Sequence, residues 1–190
     1  MRTNLFLVLL LYGCVPCDDP IVLDNGPLPD SILAMVPYAD GNVYSLQHSN
    51  GQIINFASTR FSETEVEDCH YCCDHTISYE INSTKLTPDY PVFSIDFWLS
   101  NADTIQYGFS CNVGKYFLNI PVHKHQYSVF LDYADSIQIG STYYYDVFRI
   151  KPYNHNLYNE PIKVDSVYYN RTEGIIFIKM SNEEYYSIID

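Results

Sequence analysis

Residues 93–100 read Phe93-Ser94-Ile95-Asp96-Phe97-Trp98-Leu99-Ser100, apolar at each odd position and mostly polar between. Successive side chains of a strand point to opposite faces, so this alternation describes a strand with one face on a core. The same period of two returns at Ile77, Tyr79 and Ile81, and in the stretches from Tyr116 to Ile120, Tyr127 to Leu131 and Tyr143 to Ile150. Val43 to Gln47 and Gln52 to Phe56 flank Ser49-Asn50-Gly51. Asn-Gly supplies the positive φ of a tight hairpin, so these two runs read as paired strands. Near the end, Ile162 to Tyr169, a turn containing Gly174, Ile175 to Met180, Ser181-Asn182 and Tyr185 to Ile189 read as a β-meander. Nothing sustains a helical period. About ten short strands at this spacing predict an all-β domain, an antiparallel sandwich or barrel-like fold ending in that meander. The 19 tyrosines suit such sheets, since tyrosine favours strands and tolerates a half-wet face.

The N-terminal residues have a different logic. Arg2 is followed by an unbroken apolar run from Leu5 to Leu11, too short to span a bilayer and of the length of a signal-peptide core. Leu11-Tyr12-Gly13-Cys14 resembles the bacterial lipobox, in which the cysteine receives a diacylglyceryl group and becomes the mature N-terminus. The resemblance implies residues 1–13 as a signal peptide, lipidation at Cys14 and attachment to a membrane by several acyl chains. A single chain holds only marginally. Half of the ten prolines, Pro16, Pro20, Pro27, Pro29 and Pro37, fall before residue 40 beside Asp18, Asp19, Asp24 and Asp30. Proline blocks helix and ladder alike, so residues 14–37 are expected to form a tether, with Ile32 to Val36 open to a short turn or an edge strand against the domain, and 38–190 a single β-domain. The formal net charge of −13 repels phosphate backbones and anionic headgroups. Nucleic acid is therefore excluded as a partner, and membrane attachment rests on lipid.

Val36-Pro37-Tyr38 with Asp40-Gly41, the Asn50-Gly51 hairpin and the segment Ser141-Thr142-Tyr143-Tyr144-Tyr145-Asp146-Val147 are similar to short lipoproteins of the Bacteroidota. The closing strands Val167-Tyr168-Tyr169 and Gly174-Ile175-Ile176 share that resemblance. It implies an envelope lipoprotein, expected at the outer membrane, without supplying an activity. Asp18-Asp19 loosely resemble the acidic signal that accompanies surface export in such bacteria.

The densest chemistry is Cys69-His70-Tyr71-Cys72-Cys73-Asp74-His75, after the acidic run Glu63, Glu65, Glu67 and Asp68. Exported thiols are usually oxidised, and with Cys111 the set Cys69, Cys72, Cys73 and Cys111 allows two structural disulfides in three connectivities. The competing reading is a zinc or other soft-metal site. Cys69 and Cys72 have C-x2-C spacing, and Cys73, His75 and Cys111 are available to complete a tetrahedron. Free or redox-active thiols are a third reading, and Cys17 is the odd thiol, either free or crosslinking two molecules. His123-Lys124-His125 places two imidazoles on one face of a strand, a weaker metal motif than an ordinary surface pair. Trp98, the only tryptophan, is in phase with Ser94, Asp96 and Ser100. An exposed indole there suits sugar or peptide stacking, and a sheet covered on both faces makes it core.

Catalytic signatures are missing from the sequence: no G-x-S-x-G, no H-E-x-x-H, no P-loop and no Asp-rich calcium loop. A cysteine nucleophile beside His70 or His75 has only sequence proximity in its favour. Asn82-Ser83-Thr84 and Asn170-Arg171-Thr172 are formal glycosylation sequons, irrelevant behind a bacterial lipobox. The sequence thus leads to a non-enzymatic, lipid-anchored envelope protein with a structural or ligand- and protein-interaction β-domain. A metal-binding module at Cys69–His75 is the alternative, and a carbohydrate-active protein a weaker one.

Overall fold

The computed structural model describes residues 21–68, 75–103, 106–123 and 131–189. Cys14, Cys17, Cys69, Cys72 and Cys73 lie outside them. The fold is almost entirely β, as the alternating patterns require. Its strands are β1 (Ile21–Asp24), β2 (Val43–His48), β3 (Ile53–Asp68), β4 (His75–Pro88), β5 (Ile95–Ser100), β6 (Gly108–Val113) and β7 (Tyr116–Asn119), followed by β8 (Leu131–Ile139), β9 (Thr142–Ile150), β10 (Val164–Asn170), β11 (Gly174–Met180) and β12 (Tyr185–Ile188). Among the described residues a four-residue helix α1 (Asp30–Leu33) and a 3-10 turn at His155–Leu157 are the helical pieces.

All these strands belong to one curled sheet, a half-barrel and not a sandwich, in the order β7-β6-β5-β4-β3-β2-β12-β11-β10-β9-β8. Two antiparallel meanders, one from each half of the chain, are joined where β12 pairs with β2 through Ile188↔Leu46 and Tyr186↔His48. β1 is the exception, running parallel to β4 from Ile21↔His75 to Asp24↔Ser78, beyond the last β4–β5 pair at Ile81↔Ser100. A barrel has no edges, whereas this sheet leaves β7 and β8 as edges. The β9–β10 connection laces onto β7: Tyr153 N donates to Phe117 O at 2.9 Å, Phe117 N donates to Asn154 Oδ1 at 3.0 Å, and Asn154 Nδ2 donates to Lys115 O at 2.9 Å.

The concave face is the core. Ile95, Phe97 and Leu99 of the opening alternation are buried there with Phe109, Val113, Tyr169 and Ile178. A second, small cluster of Tyr144, Val147 and Ile176 forms on the other face. Several strand stretches escaped the sequence reading, β1 within the expected tether among them. β8 is an exposed edge whose apolar residues Leu131, Tyr133, Ile137 and Ile139 do alternate, with Asp135 interrupting the run. The distal part of β3 is the acidic run 63–68, held as strand by its ladder with β4, from Glu63↔Ile81 to Asp68↔Thr76.

The concave face needs filling, and the filler corrects the expected tether. Leu28, Met35, Val36 and Tyr38 are all buried in the core, so the chain from β1 onward belongs to the domain. Each such side chain contributes about 1.5–3 kcal/mol on burial. Arg60 clamps this plug: Nη2 donates to Leu33 O at 2.8 Å, Nη1 to Val36 O at 3.1 Å, and Nε to Asn82 Oδ1 at 2.9 Å. Tyr169 donates its hydroxyl to Met35 O, and Tyr38 Oη accepts from Ile175 N at 2.6 Å. Gly174 is required twice over, by its φ of +81° and because a Cβ there would run into the Tyr38 ring.

Removing the clamp with Arg60→Met is expected to cost about 3 kcal/mol in urea unfolding, since buried carbonyls lose a charged donor. A loss under about 1 kcal/mol would show that the plug is held by packing alone. Burial also pushes the Tyr38 and Tyr169 phenols and the Cys111 thiol up. The unfolded chain then sheds those protons first, so stability is full at neutral pH and falls as pH rises from about 9 toward the raised folded-state values. Unfolding measured from pH 8 to 11 should show that decline, and Tyr169→Phe should make it shallower while lowering stability at neutral pH. An unchanged slope in the variant would remove Tyr169 from the cause.

Candidate functional site

Strand directions sort the connections to two ends of the half-barrel. One end collects the outer end of the β3–β4 hairpin, the β8–β9 turn, the β10–β11 turn and the start of β1. At this end, between β9 and the β10–β11 turn, lies a cleft of about 300 Å³ lined by Tyr143, Tyr145, Asp146, Phe148, Arg171 and Glu173 among others. That is the small end of ligand-pocket sizes, and the mouth of a barrel-like sheet is where such pockets form.

The cleft comes from a break in the β9 pattern. Tyr144 and Val147, three apart, both join the outer cluster, while Phe148 and Ile150 face the core. The break falls at Asp146, whose φ of 55° puts a non-glycine side chain in the left-handed region inside a strand, while the β8–β9 register is the same on either side of it. Such a conformation costs on the order of 1–3 kcal/mol and persists only when neighbours hold it. Tyr133 donates its hydroxyl to Asp146 Oδ1 at 2.5 Å, and Asn170 donates Nδ2 to Tyr145 O. Asn170 Oδ1 also accepts from Thr172 N at 2.7 Å and Glu173 N at 3.0 Å, so one buried amide shapes both walls. The break leaves Tyr143 and Tyr145 on one lip, 58% and 66% exposed. Across from them the Arg171 guanidinium lies 5.4 Å from the Phe148 ring centre and donates to Val122 O at 2.7 Å, while its buried Nε has no hydrogen-bond partner among the described residues.

The residues singled out in the sequence do not meet here. Cys111 faces the core from β6, 1% exposed and free, with its thiol 3.5 Å from Asn112 O. It is therefore not a disulfide or metal partner, which corrects the expectation that it completes the cysteine set. The ladder explains why: Cys111 stands beside Phe97, and Phe97 beside Thr84, eight residues along β4 from the Thr76↔Asp68 pair, about 26 Å at strand rise. His75 opens β4, opposite Ile21. Its expected companions Cys69, Cys72 and Cys73 lie outside the described residues, as do His70, Lys124 and His125, while His123 is exposed. Among the described residues no three His, Cys, Asp or Glu side chains gather as metal ligands.

Trp98 stands on the outer face, half-buried and in neither apolar cluster. The ladder sets it in the row Phe61, Ser83, Trp98, Ser110, so its small neighbours leave the indole reachable beside an exposed Phe61. Both sequons are closed by structure. Asn82 is buried with Nδ2 on Ser62 Oγ at 2.7 Å, and the Asn170 amide is spent on Tyr145. A second recess, bordered by Asp24, Glu63 and Glu80, is structural: Asp24 accepts from Gly26 N and Glu80 from Leu28 N. The cleft residues Tyr143, Tyr145, Asp146 and Arg171 were missed as a site. Their one sequence signal is a triple tyrosine ending in aspartate within a strand.

The site and fold define a class, a curled antiparallel β-sheet plugged by its own N-terminal segment, with an aromatic cleft at one mouth. No family model matches the chain, and no curated protein or solved structure is significantly similar to it.

If Asp146 is strained, Asp146→Gly should unfold within about 1 kcal/mol of the parent, the relief offsetting the lost tyrosine bond. Asp146→Val, β-branched at positive φ, should lose about 2 kcal/mol or more. Equal stabilities of the two variants would end the case for strain.

Proposed function

We propose that this protein is a lipid-anchored envelope protein, attached through Cys14, whose β-domain binds a ligand non-catalytically in the cleft between β9 and the β10–β11 turn. The observation that carries the binding half is the strained Asp146 beneath two exposed tyrosines, since strain held in place by neighbours is characteristic of binding sites. The anchoring half is supported by the short apolar run ending at Gly13-Cys14. The fold is compatible with it in a specific way. β1 begins beside His75, at the outer end of the long β3–β4 arm, and Cys14 is seven residues before Ile21. Seven residues reach at most about 25 Å, so the lipid would hold the arm close to the bilayer with the half-barrel set back from it.

On this reading the cleft recruits or retains its ligand at the envelope, and the partner is a soluble molecule or a glycan and not nucleic acid. The acidic surface, with a net charge of −13, keeps the domain off anionic headgroups while the acyl chains hold it there. In a bacterial host the wild-type protein should incorporate labelled fatty acid and partition into detergent, and Cys14→Ala should do neither. Identical behaviour of the two proteins would overturn the anchor.

A further inference from the structure

We propose that the outer face of the β3–β4 arm docks an extended, basic segment of a partner protein, a site separate from the cleft and independent of it. Side chains two apart on a strand share a face, so the ladder sets Ile77, Tyr79 and Ile81 of β4 in a stripe on the outside of the sheet. Glu67, Glu65 and Glu63 of β3 stand beside them, one against each. All three glutamates are exposed, and among the described residues none is in an ion pair. Glu65 Oε2 accepts from the Tyr79 hydroxyl at 2.9 Å, which ties the acidic row to the apolar one. At its inner end the stripe opens into a fork, where exposed Phe61 and half-buried Trp98 flank the small Ser83. Two strand spacings put the backbones of Phe61 and Trp98 about 10 Å apart, room for one inserted side chain. The fold does not need the acidic row: glutamate is disfavoured in strands, and like charges repeated along one face repel each other.

The charge of this face selects its occupant. Nucleic acid, an anionic bilayer or a second copy of the chain, itself of net charge −13, would bring negative charge against the glutamates. One metal ion would not gather them: carboxylates at alternate positions of a strand start about 7 Å apart, and among the described residues no three His, Cys, Asp or Glu side chains come together as ligands. A neutral sugar would stack on Trp98 and leave the glutamates unused. A basic polypeptide uses the whole surface. In extended form it presents every second side chain to one face at the spacing of β3 itself, so lysines or arginines at alternate positions meet Glu63, Glu65 and Glu67 in register. Their methylene stems cover Ile77, Tyr79 and Ile81 while the charged heads reach the carboxylates. A further arginine in the fork stacks between the Phe61 and Trp98 rings, the kind of aromatic anchor on which interfaces concentrate their energy.

Trp98 is the only tryptophan, so its emission reads the site directly. The full chain purified in detergent is titrated with a synthetic nonapeptide of alternating arginine and threonine, and with a peptide of the same composition whose arginines are contiguous. The alternating peptide is expected to give a saturable change in Trp98 emission that weakens with added salt, and the contiguous one to bind at least tenfold more weakly. Glu63→Gln/Glu65→Gln/Glu67→Gln should lower the affinity at least tenfold and flatten its salt dependence, and Phe61→Ala should lower it about tenfold. Glu183→Gln/Glu184→Gln, on the exposed β11–β12 turn, removes charges of the same kind and should bind as the parent does. Urea unfolding of each variant separates lost binding from lost folding. Equal affinity for the two peptides, or parent-like affinity in the triple glutamine variant, overturns the proposal. So does a Trp98 response to calcium, to neutral oligosaccharides or to rising protein concentration with none to the alternating peptide, and so does no response to any of them.

Discussion

The structure depends on one contact, the grip of Arg60 and Tyr169 on the carbonyls of residues 33–36. A sheet curled far enough to make a half-barrel has a concave face with no second sheet to cover it. Here the cover is the chain's own proline-rich segment, which has little regular structure and therefore few internal partners for its backbone. Buried carbonyls without partners would be costly, and a guanidinium with donors on several sides answers them at once. Tyr38 completes the join from the plug's side by accepting the Ile175 amide, next to the glycine that makes room for its ring.

Buried amides play a similar part elsewhere. Asn101 Oδ1 accepts from Glu80 N, and its Nδ2 donates to Gly26 O at 2.7 Å, so it ties β1, β4 and the end of β5 where the regular ladder stops. Asn82 links Arg60 to Ser62. Asn170 fixes the turn that forms one wall of the cleft. Asn101 and Asn170 sit where strand pairing ends and answer peptide groups there, whereas Asn82 stands within the β3–β4 ladder and joins side chains. The cleft is thus a product of the same device that stabilises the sheet: the amide that closes the β10–β11 turn also holds Tyr145, and with it the kink at Asp146.

Much of the fold was legible. The alternation at residues 93–100 named the buried set Ile95, Phe97 and Leu99 and put Trp98 on the opposite face, and the Asn50-Gly51 turn and the C-terminal meander stand where the sequence puts them. What was illegible was non-local. Leu28, Met35, Val36 and Tyr38 lie among prolines without periodicity, so only a concave surface far away in sequence marks them as core. Cys111 looked like a partner for the Cys69–Cys73 cluster because sequence carries no distance. The ladder separates them by the length of half the long hairpin. The cleft residues come from β9 and from a turn some 25 positions later, and Arg171 was visible only as the middle of a sequon.

The sequence by itself determined the secondary structure class, the faces of the strands and the polarity of the surface. These follow from local rules: side-chain alternation, turn stereochemistry and charge. Tertiary structure alone decided that the sheet would curl into a half-barrel, that a proline-rich segment would fill it, and that an aspartate would be held at positive φ beside two tyrosines. Those outcomes depend on hydrogen bonds and packing between residues on different strands, from Tyr133 with Asp146 to Tyr169 with Met35, and no local pattern encodes the geometry in which such partners meet.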